Sequence, residues 1–362
     1  MQRITKINAR EVVSYSIAAI IPCWNCEQYV EGMIKCILNQ SFSDWRAFFI
    51  DDGSTDSTAR IIQVYSNIDK RIIYVKRERL PKGAPTCRNI GFELSVGATY
   101  VVFFDADDII APYCFDQRVK YMNQNPSCDF SIFKAKSFHN SIYDSDSLIY
   151  GVKYIDNTLQ AMLNWNLPMV GWTNIYKRQS LIDYNVMWDE QLLSLQDSDY
   201  NIQSLVSGML YTFADTSKVD YFYRITTDGI SRKICSDAHR KSHIYLLNKT
   251  LRVLATNNEV TDIMLRTNIL LYLNLFLRER LSCIDFFKIP WIKKRVLFYV
   301  RMLIYVVLRG RGRKYLFRKE MEYSNSLTSI WLHKNRKSVS YFLCYAQNED
   351  NLLKIEAILA NN

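Results

Sequence analysis

Tyr100-Val101-Val102-Phe103-Phe104 is an unbroken apolar and aromatic run that ends in three carboxylates within four residues, Asp105-Ala106-Asp107-Asp108. Such a run reads as a strand buried on both faces. Its acidic end then stands at the carboxyl edge of a sheet, where open α/β folds bind ligands. Carboxylates this close repel one another, so a folded site must supply a cation or strong donors. Asp105 and Asp107, alternating across Ala106, carry the oxygen chemistry of a hard divalent metal. Taken alone, an Asp-x-Asp is more often a solvated turn after a strand, so its meaning rests on the rest of the chain.

The first half alternates strand and helix patterns. Strands are expected at 16–21 (closed by Pro22), 46–50, 72–75, 99–104 and 129–133. Helices are expected over about 27–40, 55–65 and 87–95, and from Pro112 to about 123. This order predicts an α/β fold with a mostly parallel sheet covered by helices on both faces. The segment 154–224 is mixed, and after about Ser236 the pattern turns helical. The expected division is a catalytic domain over 1–235, with halves of about 15–133 and 134–235, and a helical basic region over 236–362.

At 362 residues the chain can bury a large core. Nine cysteines and a polar first segment, Met1 to Ser14, point to reduced thiols in a cytoplasmic protein. The lone Cys23-x-x-Cys26 has no second pair with which to bind zinc. The net charge of +10 is concentrated. Eleven basic residues and no acid fall between Lys288 and Lys319. That clustering argues against general nucleic-acid binding. Leu297–Leu308 is too short to span a bilayer. With Trp291 and its basic flanks, it fits equally a helix lying on an anionic membrane surface or a core helix with a basic face. A peripheral position on the inner face of the membrane is the corresponding expectation.

Three further segments carry polar chemistry. Asp51-Asp52-Gly53-Ser54-Thr55-Asp56 follows a strand, where Gly53 permits a tight turn and the hydroxyls can cap the next helix. Its carboxylates suit a nucleobase edge or a ribose. Lys82, Gly83 and Arg88 bracket a helix start, an arrangement that suits a pyrophosphate as well as a solvated basic turn. Gln196-Asp197-Ser198-Asp199 opens a helix, where a carboxylate serves the dipole or acts as a general base.

In order, the chain presents Ile21-Pro22-Cys23-Trp24-Asn25 with Glu27, the Asp51–Asp56 turn, the Lys82–Gly91 segment, Asp105-Ala106-Asp107-Asp108, Gly171-Trp172-Thr173-Asn174, Gln196-Asp197 and Tyr223-Arg224. That series closely resembles the family 2 glycosyltransferases over about 15–232. The resemblance implies the GT-A nucleotide-sugar-binding fold. It also implies an inverting transfer of sugar from a nucleoside diphosphate, with UDP expected, to a hydroxyl of a glycan or lipid-linked acceptor in surface-polysaccharide synthesis. By the same resemblance, Pro22, Asn25, Glu27, Asp51, Asp52, Lys82, Gly83, Arg88, Asp105 and Ala106 line the donor site. Asp107, with Asp105, holds Mg²⁺ or Mn²⁺. Asp197 is the catalytic base with Asp199 as fallback, and Trp172, Asp199 and Arg224 face the acceptor. Two departures stand out: Gln196 replaces the family's usual Glu, and Thr226 and Thr227 stand where many relatives carry a metal-binding His. A sugar nucleotidyltransferase of the same fold class is the nearest rival, but Pro22-Cys23-Trp24-Asn25 is not a Gly-rich phosphate loop. A non-catalytic glycan-binding or scaffold protein is the second.

Overall fold

A computed structural model describes residues 13–143, 149–153, 158–163 and 168–226, with helical residues at 238–239, 241–242, 245–246 and 249–250. The basic segment 288–319 and the rest of the expected C-terminal region lie outside the described residues. The elements are β1 (Tyr15–Cys23), α1 (Val30–Leu38), β2 (Trp45–Asp51), α2 (Thr58–Ile68), β3 (Ile72–Lys76), α3 (Ala84–Leu94), β4 (Ala98–Phe103), β5 (Ile109–Ile110), α4 (Cys114–Gln124), β6 (Phe130–Ile132), β7 (Ala135–Phe138), β8 (Ile149–Tyr150), α5 (Thr158–Leu163), a 3₁₀ turn (Gly171–Thr173), β9 (Asn174–Lys177), α6 (Arg178–Asp183), α7 (Gln196–Val206), β10 (Tyr211–Phe213) and β11 (Tyr221–Arg224). The main sheet has the order β10-β6-β9-β4-β1-β2-β3. Its pairs are parallel except at β9, which runs antiparallel to both β4 and β6. A second, four-stranded sheet has the order β5-β11-β7-β8.

The central strands are buried on both faces, which is why they read as unbroken apolar runs. Ile17, Ala19 and Ile21 of β1 pack with Val30, Met33, Ile34 and Ile37 of α1 and with Phe115 of α4. Ile20 points the other way, onto α3. There a Cβ on Gly91 would meet Ile20 Cγ2 at 2.4 Å, so the close approach of helix to strand requires glycine at 91.

Two expected boundaries move for identifiable reasons. β1 runs through Pro22 to Cys23. Ile20 C=O accepts from Phe104 N on the β4 side, while Cys23 C=O accepts from Asp52 N on the β2 side. Pro22 therefore turns its missing donor toward β4, whose pairing with β1 ends at Phe103. α3 begins at Ala84, three residues earlier than expected, because Pro85 sits in its first turn and Gly83, at φ 142°, forms the cap. No described helix is long and apolar enough to cross a membrane.

Candidate active site

Parallel pairing brings the carboxyl ends of β1, β2 and β4 to one edge, with Cys23 opposite Asp51 and Ile20 opposite Phe103. Beyond β1 the chain turns at Asn25 in the left-handed region, φ 47°, which asparagine tolerates well. Asn25 N donates to Ser54 Oγ at 3.0 Å, and Asn25 Oδ1 accepts from Thr55 N at 2.8 Å. Glu27 Oε2 accepts from Ser57 N at 2.8 Å, while its own N donates to Asp56 Oδ2 at 3.1 Å. Asn25 and Glu27 thus knit the 53–57 turn to the exit of β1 and shape one wall of the cleft.

The buried Asp51 accepts from Ser54 N at 2.9 Å and from Tyr74 Oη at 3.2 Å. Asp52, also buried, pairs with Arg77 and accepts from Gly83 N at 3.2 Å. Arg77 was not among the residues the sequence pointed to; a basic residue just past a strand carries no distinctive signal. Lys82 Nζ stands 4.5 Å from the ring centroid of the half-exposed Trp24.

Arg88 does not face outward. It is 6% exposed. Its Nη2 donates to Asp105 Oδ1 at 2.7 Å and its Nη1 to Gln196 Oε1 at 3.2 Å, and its guanidinium lies 4.3 Å from the Trp188 ring centroid. Arg88 therefore ties the end of β4 to the start of α7.

The three carboxylates after β4 have separate surroundings. Asp105 takes Arg88. Asp108 is fully enclosed: Tyr221 Oη donates to its Oδ2, and Arg224 N donates to its Oδ1 at 2.7 Å. Burial pushes its pKa well up, and Asp107 and Asp105 add to the effect. Asp108 thus clamps β11 beneath the site. Arg224 Nε donates to the Asp107 carbonyl at 2.8 Å. The Asp107 carboxyl is raised to about 6 by burial and by the charge of Asp105, opposed by its own amide and by Arg224.

Opposite stands Asp197, in the first turn of α7. Leu195 precedes the helix at φ 59°, a left-handed conformation that costs a leucine about 1–2 kcal/mol. Strain of this kind gathers at functional sites. Asp197 Oδ1 is sealed from water yet has no hydrogen-bond partner. Burial raises its pKa to about 6, with Arg88 lowering and Asp105 raising it. The approach is possible only because residue 171 is glycine: a Cβ there would meet Asp197 Oδ1 at 2.6 Å and Trp188 Cη2 at 2.9 Å. Asp199 lies elsewhere, about 200° further round the helix. Its carboxylate accepts from Lys249 Nζ at 2.8 Å and Gln203 Nε2 at 2.6 Å, which leaves little capacity to act as a base.

Trp172, expected to face an acceptor, is only 5% exposed. It stacks on Tyr221 and Tyr223 and supports β11 from below. Its carbonyl accepts from Arg118 Nη1 at 3.1 Å.

A divalent cation fits the carboxylates after β4. Asp107 is a desolvated acid beside a second acid, and a dication would relieve both penalties. No cluster of three or more His, Cys, Asp or Glu suited to a metal occurs among the described residues. Magnesium-type binding needs only one or two carboxylates, which share the ion with substrate phosphates.

A parallel sheet whose strand ends deliver a nucleotide-type turn, an acidic cluster and a facing carboxylate defines a GT-A type fold. The structure of S. aureus TarS 1–349 in complex with UDP-GlcNAc superposes with a TM-score of 0.61 at 14% identity, covering 88% of this chain and 92% of that one. TarS 1–349 alone gives 0.59 at 15% identity, covering 88% and 91%. Residues 18–184 match the model of glycosyl transferase family 2. The fold is thus of the GT-A type, and residues 18–184 are similar to glycosyl transferase family 2. Among similar proteins, a putative teichuronic acid biosynthesis glycosyltransferase of Bacillus subtilis, TuaG, is 36% identical over 115 residues, 32% of this chain and 44% of that protein. The B. subtilis glycosyltransferase EpsJ is 24% identical over 229 residues, 59% of this chain and 62% of that protein. The matches thus span about half the length of these relatives.

Proposed function

We propose that the protein is a metal-dependent, inverting glycosyltransferase. It would move a sugar from a nucleoside diphosphate, UDP first among the candidates, to a hydroxyl of a glycan or lipid-linked acceptor in bacterial surface-polysaccharide assembly. The observation that carries this reading is Asp197, whose Oδ1 is sealed from water without a hydrogen-bond partner and whose charge feels Arg88 and Asp105. A single buried carboxylate raised to about 6 is ionised at neutral pH and still basic enough to take a proton. In one in-line step, the acceptor oxygen forms its bond to the anomeric carbon as the bond to the diphosphate breaks. The hydroxyl proton passes to Asp197, and the nucleoside diphosphate leaves. Asp107 and Asp105 would hold Mg²⁺ or Mn²⁺, whose charge stabilises the leaving diphosphate. The Asp51–Asp56 turn, with Asn25 and Lys82, would receive the nucleoside, and Arg88 holds Asp105 in place. The names of the relatives support both the donor class and the setting: TarS was crystallised with UDP-GlcNAc, and TuaG is assigned to teichuronic acid synthesis.

The test is thermal unfolding with a panel of nucleotide sugars, with and without Mn²⁺. A true donor at a hundredfold excess over its Kd contributes about 2.7 kcal/mol. Asp107→Asn should remove the metal-dependent part of the shift. If neither UDP nor any nucleotide sugar stabilises the protein with metal present, the proposal fails.

A further inference from the structure

Tyr221 and Tyr223 share one face of β11, two residues apart. Both stack on Trp172, with centroids 4.9 and 5.3 Å away and interplanar angles of 5° and 12°. Their hydroxyls differ. That of Tyr221 is spent beneath the site: it donates to Asp108 and accepts from Asp105 N at 3.1 Å. Tyr223 stands one step further along the strand and is only partly buried. Its hydroxyl makes no hydrogen bond with any described residue. Trp172 itself follows Gly171, the residue against which Asp197 packs. This stack ties Tyr223 through Trp172 to Tyr221, which touches Asp105 and Asp108, and through Gly171 to the place where Asp197 packs.

The electrostatics agree with that placement. Burial raises the Tyr223 hydroxyl, and Asp108, Asp105, Asp107 and Asp197 all raise it further. The hydroxyl therefore stays protonated at any working pH and remains a hydrogen-bond donor. In the proposed reaction, the diphosphate lies at Asp105 and Asp107 and the acceptor hydroxyl at Asp197. The transferred sugar is the one reactant part that must lie between them. A sugar is rich in hydroxyls, so a neutral donor suits it where a cation would be drawn to the acids.

Resting on the proposed transfer, we infer that Tyr223 is a sugar-contacting residue whose hydroxyl donates to an oxygen of the transferred sugar. The ring's stack on Trp172 fixes where that donor stands. The residue then helps to read the sugar and takes no part in binding the nucleotide.

Tyr223→Phe keeps the ring and its stack and removes only the hydroxyl. The measurements are affinities for UDP and for UDP-GlcNAc in the presence of Mn²⁺, and kcat/KM for transfer or donor hydrolysis. The variant should bind UDP as the wild type does. It should bind UDP-GlcNAc, or whichever UDP-sugar most stabilises the wild type, about three- to tenfold more weakly, the worth of one neutral hydrogen bond. Equal loosening of UDP and UDP-sugar, or no change in either, would overturn the inference. Tyr223→Leu serves as the control for the ring: it should loosen UDP as well, because β11 loses its stack. Failure of the functional reading would look different, with UDP not binding to the wild-type protein at all.

Discussion

Replacing Gly171 with alanine puts a methyl group 2.6 Å from Asp197 Oδ1 and 2.9 Å from Trp188 Cη2. Both contacts are too close, so both groups must give way: Asp197 Oδ1 by nearly 1 Å and the Trp188 ring by several tenths of an ångström to reach ordinary contact. Trp188 is held on several sides: it stacks on Tyr200 at 4.2 Å, carries the Arg88 guanidinium on its ring, and its carbonyl accepts from Asn89 Nδ2 at 2.9 Å. Asp197 Oδ1 has no hydrogen-bond partner, so the carboxylate yields the more readily, but its rotation leaves the Trp188 contact in place. Overpacking costs about 1–3 kcal/mol, with the upper half of that range expected because the held Trp188 ring must shift as well. The entropy lost from the unfolded chain on Gly→Ala returns about 0.4–1 kcal/mol, since the backbone at 171 is not left-handed. The melting temperature should therefore fall by roughly 2–10 °C. Activity should fall far more, because displacing a reacting group by about an ångström costs on the order of 10²-fold. The assay is UDP release in the presence of donor and acceptor, run beside UDP binding and a melting curve. A ten- to hundredfold drop in kcat with UDP affinity unchanged is expected. A folded Gly171→Ala protein turning over within about twofold of wild type would refute Asp197 as the base.

Asp197 also sets a pH dependence. Its carboxyl titrates near 6 in the fold, so kcat/KM should fall about tenfold per unit below that pH, and a flat profile down to pH 5 would contradict the assignment. Because the folded pKa lies above the ordinary value near 3.9, the folded state binds the extra proton. This group therefore loses stability as pH rises from about 4 to 6. Asp197→Asn should consequently raise stability at pH 7 by on the order of 1–2 kcal/mol while abolishing transfer; a loss of stability would count against the desolvated carboxylate. Arg118 and Asp220 form a fully buried pair, with Nη2 to Oδ1 at 2.7 Å and Nε to Oδ2 at 2.9 Å. Asp220→Ala would strand the guanidinium beneath Trp172, and urea unfolding should show a loss of about 3–5 kcal/mol; under 1 kcal/mol would mean that the pair is not what holds β11 and the 3₁₀ turn together.

How much of the molecule was legible in the sequence follows burial and sequence separation. β1, β2 and β4 could be read because burial on both faces leaves a continuous apolar run. β5 and β8 are two residues long, too short for any period to appear. β9 reads like its neighbours, and nothing local says that it runs antiparallel to β4 and β6. The site divided in the same way. The Asp105–Asp108 cluster, the Asp51 turn and Asp197 stand out as strings. The ion pair of Asp52 with Arg77, the glycine contact at Asp197 and the clamp of Asp108 on β11 join residues 25 to 116 positions apart. No local pattern encodes such partners.

By itself, the sequence determined the alternation that forces an α/β fold and the order in which acidic and basic groups reach the sheet edge, because hydrophobic periodicity and charge are local properties. Only the tertiary structure decided what each charged group does. It turned Arg88 inward to join Asp105 and Gln196, and it tied up Asp199 with Lys249. It also left Asp197 Oδ1 without a hydrogen-bond partner and Tyr223 with a spare hydroxyl. The reason is physical: a carboxylate or hydroxyl takes its role from its desolvation and its partners, and both are supplied by segments distant in the chain.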